Sequence, residues 1–90
     1  MDSRSQQYKD QLRVTDKYLT RLLTKSEEDD TDMTTKCIAA IIASRMRHFV
    51  RGMTTNEIYA MLTELPSLKA NTRASDRKHI AQVVRTDVEV

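Results

Sequence analysis

The longest series of helically spaced apolar residues lies in the middle of the chain. The residues recur at spacings of three and four, which is typical of an amphipathic helix and does not fit a strand. The residues are Ile38, Ile41, Ile42, Met46, Phe49 and Val50. The segment 29–32, DDTD, precedes them and supplies capping oxygens and negative charge at the start of a helix. Gly52, the only glycine, follows them, and glycine is common just after the last residue of a helix. The pattern predicts a central helix over residues 31–51.

A narrower apolar stripe precedes this helix and predicts a first helix over residues 4–24. The stripe consists of Tyr8, Leu12, Leu19 and Leu22, with Thr15 in its middle. So narrow a stripe is closer to a coiled-coil seam than to a core-facing helix, so these residues are the candidate dimer seam. The alternative is that the first helix packs over the other helices of its own chain. Residues 25–30, KSEEDD, are expected to form the connecting loop.

A capping box marks the start of a third helix. Thr54 is followed three residues later by Glu57, and Met53 and Ile58 stand at the hydrophobic staple positions. The third helix is therefore predicted over residues 55–65, ending before Pro66.

A loop over residues 66–70 should follow, with Leu68 tucked onto the core. A fourth helix is predicted over residues 72–85, capped by Asn71 or Ser75. Residues 1–3 and 86–90 are expected to fray.

Composition supports an all-α chain. The 90 residues contain one glycine and one proline, which leaves little turn chemistry. We predict a single domain over residues 1–90, a small bundle of four helices that is dimeric because so short a chain buries only a modest core. The first ten residues lack an apolar segment, no apolar run is long enough to span a membrane, and Cys37 is the only cysteine. We therefore expect a cytoplasmic protein.

The residues with catalytic chemistry are too few and too far apart for an active site. Cys37 and His48 are eleven residues apart on one predicted helix, roughly 16 Å along its axis. We interpret Cys37 as a small core residue and His48 as a structural or surface residue. No spacing of histidine and cysteine suits zinc, and no glycine-rich loop suits phosphate. We expect neither enzymatic activity nor a cofactor or metal.

Basic residues suggest two binding surfaces. Lys69, Arg73, Arg77 and Lys78 precede or begin the last helix, where they would face DNA if the last two helices formed a helix-turn-helix. The predicted linker 66–70 is longer than the usual turn of that motif. Arg45, Arg47 and Arg51 form a second basic group, on the central helix, for DNA or a protein partner. The alternative for both groups is an ordinary solvated surface.

The order of these segments resembles the AriR/YmgB family of small regulators, the two-component-system connector proteins linked to biofilm formation and acid resistance. The resemblance covers residues 16–86. It consists of four features in order: the acidic residues Glu27, Glu28, Asp29 and Asp30 that open the main helix, the apolar series Met33, Ile38, Ile41 and Ile42 that follows them, a short helix opened by Thr54, Thr55 and Asn56, and the ending Ile80-Ala-Gln-Val-Val-Arg85. The basic segment 46–51 and Pro66 depart from the family pattern. The resemblance implies an all-helical homodimer that works by binding proteins, with DNA binding also proposed, and no catalytic residues.

Three functional hypotheses follow. The first is a small homodimeric regulator in biofilm- or stress-type regulation that acts through a regulatory protein partner, with DNA as a possible second ligand. The second is a helix-turn-helix-like DNA-binding transcriptional regulator. The third is a phage- or plasmid-encoded inhibitor of one host protein.

Overall fold

The computed structural model describes residues 3–89, which form five helices and, within that range, no strand. The helices are α1 (Ser3–Glu28), α2 (Thr35–Val50), α3 (Thr55–Thr63), α4 (Pro66–Asn71) and α5 (Ala74–Glu89). The all-α prediction is confirmed, but the number of helices is five where the apolar pattern predicted four. Met1, Asp2 and Val90, which were expected to fray, lie outside the described residues.

Helix α5 is at the centre of the bundle. It packs against both α2 and α3, while α1 lies across α2 and α4. Ile42, Met46, Ile58, Leu62 and Ile80 are among the fully or almost fully buried side chains of the shared core. The predicted burial of Leu68 is confirmed, since none of its surface is exposed.

Helix α1 is longer than predicted, because residues 25–28 are helical and not a loop. Lysine and glutamate are good helix formers, and nothing in this segment breaks a helix. The helix ends in a Schellman turn, in which Thr31 N–H donates to Ser26 O at 2.9 Å and Asp30 N–H donates to Glu27 O at 3.2 Å. Asp30 has the left-handed conformation that this turn requires, with φ of 54°.

Helix α2 begins later than predicted. Its N-cap is Thr34, whose side chain accepts a hydrogen bond from Cys37 N–H at 3.1 Å. The capping role predicted for segment 29–32 is therefore wrong, because those residues close α1 and connect it to α2. Gly52 follows the C-cap Arg51 as expected, but its φ is not positive.

The capping box of α3 is confirmed in full. Glu57 N–H donates to Thr54 Oγ1 at 3.2 Å, and Thr54 N–H donates to Glu57 Oε1 at 2.9 Å. These bonds lower the pKa of Glu57 below its ordinary value, the bond to the Thr54 backbone being the main cause.

Segment 66–70 is helical, so the predicted loop is wrong. Pro66 occupies the first turn of α4, where its missing N–H costs nothing. The last helix begins at Ala74, with Asp76 accepting from Arg73 N–H at 3.0 Å, so neither Asn71 nor Ser75 caps it. It continues through residues 86–89, which were expected to fray, because Val88 is buried against the core with 7% of its surface exposed.

Candidate binding surfaces

The predicted dimer seam on α1 is mostly used within the protomer. Leu19 is completely buried in the core, and Tyr8 and Leu12 pack against that core while remaining partly exposed. The Tyr8 ring meets the Phe49 ring edge-on, with 5.4 Å between centroids. Of the four seam residues, only Leu22 lies outside this core cluster, and its side chain is partly exposed. The alternative, that α1 packs over its own chain, is therefore correct for Leu19, and the seam prediction is wrong there.

Tyr8 also contacts the end of α3. Its hydroxyl donates to Glu64 Oε2 at 3.5 Å, beside a groove of about 380 Å³ between α1 and the α3–α4 junction. Burial raises the pKa of Tyr8, and the negative charge and hydrogen bond of Glu64 raise it further. Both contacts hold the N-terminal half of α1 to its own protomer.

Arg77 is a structural residue and not a DNA-facing one. Its side chain is buried, with 9% exposed, and Nη1 donates to Thr72 O at 2.7 Å and to Thr72 Oγ1 at 3.2 Å. Its Nε is buried and has no hydrogen-bond partner among the described residues. The guanidinium thus fastens the connection between α4 and α5. The prediction that Arg73 and Arg77 present one common face to DNA is wrong for Arg77.

The other basic residues of this region are on the surface. Lys69, Arg73 and Lys78 are exposed, and Lys78 Nζ lies 6.0 Å from the centroid of the Tyr59 ring. The outer side of α5 also exposes the polar residues Ser75, His79 and Gln82. These six exposed polar and basic residues, three of them basic, are called the α5 surface below.

A groove of about 600 Å³ lies between α1 and α2 on their outer side. It is lined by Gln11, Tyr18, Ala40, Ile41, Ser44 and Arg45. The Arg45 guanidinium stacks on the Tyr18 ring, with its carbon 3.7 Å from the ring centroid. Val14 is one helical turn before Tyr18 on the same side of α1, and half of its surface is exposed. We call these seven residues the α1–α2 groove.

The sequence pattern identified Arg45 but not the rest of this groove. Val14 and Ile41 were hard to recognise, because each is an apolar residue beside a longer apolar stripe. The available signal was the four-residue spacing of Val14 and Tyr18, on a different side of α1 from Leu12 and Leu19.

Basic residues surround the α1–α2 groove. Arg21 and Lys25 are exposed on α1, and Arg47 and Arg51 are exposed on the outer side of α2. Lys25 forms an ion pair with Asp29, whose carboxylate is 3.7 Å away. Helix α2 itself contains no aspartate or glutamate. The groove therefore places the apolar side chains of Tyr18, Ala40 and Ile41 beside polar ones, with basic residues nearby on both helices.

The two residues considered for catalysis do not meet. Cys37 is exposed, so its interpretation as a core residue is wrong, and His48 is exposed further along the same helix, 5.3 Å from the Phe49 ring centroid. An acidic cleft near the connection between α1 and α2 is lined by Glu27, Asp30, Asp32 and Asp76. Within residues 3–89, no group of three acidic, histidine or cysteine side chains is arranged to hold a metal ion.

None of the described helices combines the length and the apolar character that crossing a membrane requires. No family model, curated protein or solved structure matches this chain. The resemblance to the AriR/YmgB family therefore rests only on the sequence features described above.

Proposed function

We propose that this chain is a small non-enzymatic regulatory protein of the cytoplasm that acts by binding another protein through the α1–α2 groove. The observation that carries the proposal is the exposure of Val14 one helical turn before Tyr18, which lines the groove together with Ile41. Among residues 5–89, Val14 is the one large apolar residue that is exposed, with half of its surface accessible to solvent. Its place next to an open groove favours a binding role over an isolated surface residue.

The apolar side chains in and beside this groove, Ile41 and Val14, favour a protein over a nucleic acid as its ligand. Burial of an exposed valine contributes about 1 kcal/mol for each 40 Å² of apolar surface removed from water. A phosphate backbone offers little apolar surface in return. A protein segment with leucine or isoleucine side chains covers Val14 and Ile41 and removes them from water.

The setting and oligomeric state belong to the same proposal. The resemblance to the AriR/YmgB family points to biofilm- and stress-type regulation by a homodimer. The seam of such a homodimer lies outside Leu19, because that side chain is buried within the protomer. Sedimentation velocity over a hundredfold concentration range tests the dimer separately: one monomeric species throughout would remove it without affecting the partner-binding proposal.

The proposal is tested by affinity capture from an extract of the source cells, before and after nuclease treatment. We expect one protein to be retained in a fixed ratio and to survive the nuclease. Val14→Glu should abolish retention of this protein, whereas Thr24→Glu, on another exposed side of α1, should not. Loss of every captured protein with nuclease would contradict the proposal. Retention of a single host enzyme, with inhibition of its activity, would identify the chain as an inhibitor.

DNA binding by the α5 surface is the second candidate function. The structure gives it one favourable observation: α4 and α5 are joined by only Thr72 and Arg73, so they are closer to a helix-turn-helix than the sequence suggested. Lys69, Arg73 and Lys78 then supply the positive charge.

The test is fluorescence anisotropy with a generic duplex at about 50 and about 200 mM salt, a range over which phosphate contacts lose most of their affinity. DNA binding predicts salt-sensitive affinity that Arg73→Ala/Lys78→Ala reduces and Arg13→Ala/Arg21→Ala does not. If Arg73→Ala/Lys78→Ala bound DNA with unchanged affinity, the α5 surface would be excluded as the DNA-binding site. Arg77→Ala is unsuitable here, because it removes a buried structural side chain.

A further inference from the structure

We infer that the partner segment held in the α1–α2 groove is an acidic amphipathic helix. The inference rests on the proposed function and specifies its ligand: a helix with leucine-like side chains on one face and glutamate or aspartate on both flanks. Three features of the groove support it, namely its shape, its charge and the state of Arg45.

The shape of the groove suits a third helix. Helices α1 and α2 run in opposite directions, since Tyr8 meets Phe49 near the end of α2 and Tyr18 meets Arg45 one turn earlier. Ala40 and Ser44 are small side chains one turn apart on the α2 side of the groove. Small residues let a neighbouring helix approach closely, and Ile41 on α2 and the exposed Val14 on α1 offer that helix apolar contacts.

The charge of the border selects an acidic ligand. Arg21 is three residues after Tyr18 and Lys25 is four residues after Arg21, so both extend its side of α1. Lys36, Arg47 and Arg51 extend the side of α2 that contains Ala40 and Ser44 by the same spacing rule. A second copy placed face to face on this groove would bring these basic residues together. Such like-charge contacts disfavour a symmetric dimer here and favour a negatively charged partner.

Arg45 is held ready for a carboxylate. Its guanidinium lies over the Tyr18 ring at 3.7 Å, which fixes its plane at the groove. Among residues 5–89, the ion pairs involve Arg13, Lys25 and Arg85, and none involves Arg45. A stacked arginine without an acidic neighbour can donate two parallel hydrogen bonds to a carboxylate. Glutamate on the flank of a docked helix would supply that group.

The inference is tested with three synthetic 18-residue helical peptides and the ¹⁵N-labelled full chain. The first peptide has leucine at helical spacings of three and four with glutamate elsewhere. The second has lysine in place of glutamate, and the third has serine in place of leucine. We expect only the first to bind, with amide shifts concentrated at Val14, Tyr18, Ile41 and Ser44.

Two charge-matched variants provide the control. Arg21→Glu/Arg47→Glu reverses two border charges and should weaken binding of the first peptide about tenfold or more, because two attractions to glutamate become repulsions. Lys69→Glu/Lys78→Glu makes the same charge change on α4 and α5 and should leave the affinity unchanged.

Several results would overturn the inference. These are the absence of binding by the first peptide, equal affinity of the lysine peptide, amide shifts confined to α5, and binding of duplex DNA in the same groove. The capture experiment separates this failure from failure of the proposed function. A captured protein that Arg21→Glu/Arg47→Glu still retains leaves the protein-binding function standing and removes the acidic helix, whereas the absence of any captured protein removes the function itself.

Discussion

Asp16 on α1 caps the N-terminus of α4 through Ser67, a residue 51 positions later in the chain. Asp16 Oδ1 accepts a hydrogen bond from Ser67 N–H at 3.0 Å and a second from Ser67 Oγ at 2.7 Å. The N-cap residue of α4, Leu65, has no side chain that could do this. The carboxylate therefore satisfies a free helix N–H, and its charge is favourable at the positive end of a helix.

Removal of this carboxylate should loosen α4. We expect Asp16→Ala to lower the free energy of unfolding by about 1 to 2 kcal/mol, because a charge-assisted cap is lost. Urea denaturation followed by circular dichroism measures the change. Asp10→Ala, at an exposed position on the same helix, should change stability by no more than about 0.5 kcal/mol. Equal effects of the two substitutions would contradict the capping role.

The turn after α1 offers a stabilising substitution. Asp30 has φ of 54°, which costs about 1 kcal/mol for a residue with a Cβ and nothing for glycine. Asp30→Gly should therefore raise the free energy of unfolding by about 0.5 kcal/mol after the greater entropy of the unfolded glycine is subtracted.

The opposite substitution is favourable at Gly52, whose φ is not positive and whose Cβ position has no atom within 4 Å. Gly52→Ala should be stabilising as well, and a loss of stability in either variant would contradict these backbone conformations.

The capping box of α3 makes stability depend on pH. The pKa of Glu57 is lowered on folding, so the stabilisation is present above the ordinary glutamate pKa of 4.5 and is lost as the pH falls through the lowered value. Between about pH 6 and pH 3, we expect the wild type to lose more stability than Glu57→Gln, because glutamine keeps the bond to Thr54 N–H without titrating. Thr54→Ala should cost about 1 kcal/mol at neutral pH. Parallel pH profiles of wild type and Glu57→Gln would contradict the assignment.

Leu19 distinguishes a core residue from a dimer contact. Because it is completely buried in the protomer, Leu19→Ala should cost about 2 to 4 kcal/mol and lower the melting temperature to the same extent at every protein concentration. Leu22→Ala should cost less, since Leu22 is only half-buried. A melting temperature of Leu19→Ala that rose with concentration towards the wild-type value would instead indicate that Leu19 lies between two protomers.

Elements with strong local signals could be predicted from the sequence. The apolar period of α2 and the Thr54–Glu57 capping box depend on residues close together in the chain, and both are present in the structure. The end of α1, the whole of α4 and the last turn of α5 were mistaken. Helix α4 and the end of α5 depend on contacts outside their segments, the Asp16 cap for α4 and the burial of Val88 for α5. The end of α1 is a local feature, because its charged residues are good helix formers although their polarity suggested a loop.

The binding surfaces were harder to predict for a related reason. Arg77 and Lys78 are adjacent, and only the packing of α5 against α2 and α3 decides that Arg77 turns inward to Thr72 while Lys78 is exposed. The α1–α2 groove forms where two helices meet, so its members are 22 or more residues apart across that boundary. Arg45, Arg47 and Arg51 could be identified as basic residues, but their relation to Val14 and Tyr18 required the fold.

The central claim is that the α1–α2 groove binds an acidic segment of a protein partner, and capture with matched charge variants tests it most directly. Wild type, Arg21→Glu/Arg47→Glu and Lys69→Glu/Lys78→Glu are immobilised at equal density after circular dichroism has shown equal helix content. After nuclease treatment, the same protein should be retained by the wild type and by the α4–α5 variant, and lost from the variant at the groove. Loss from the α4–α5 variant with retention by the groove variant would contradict the account and assign partner binding to the α5 surface.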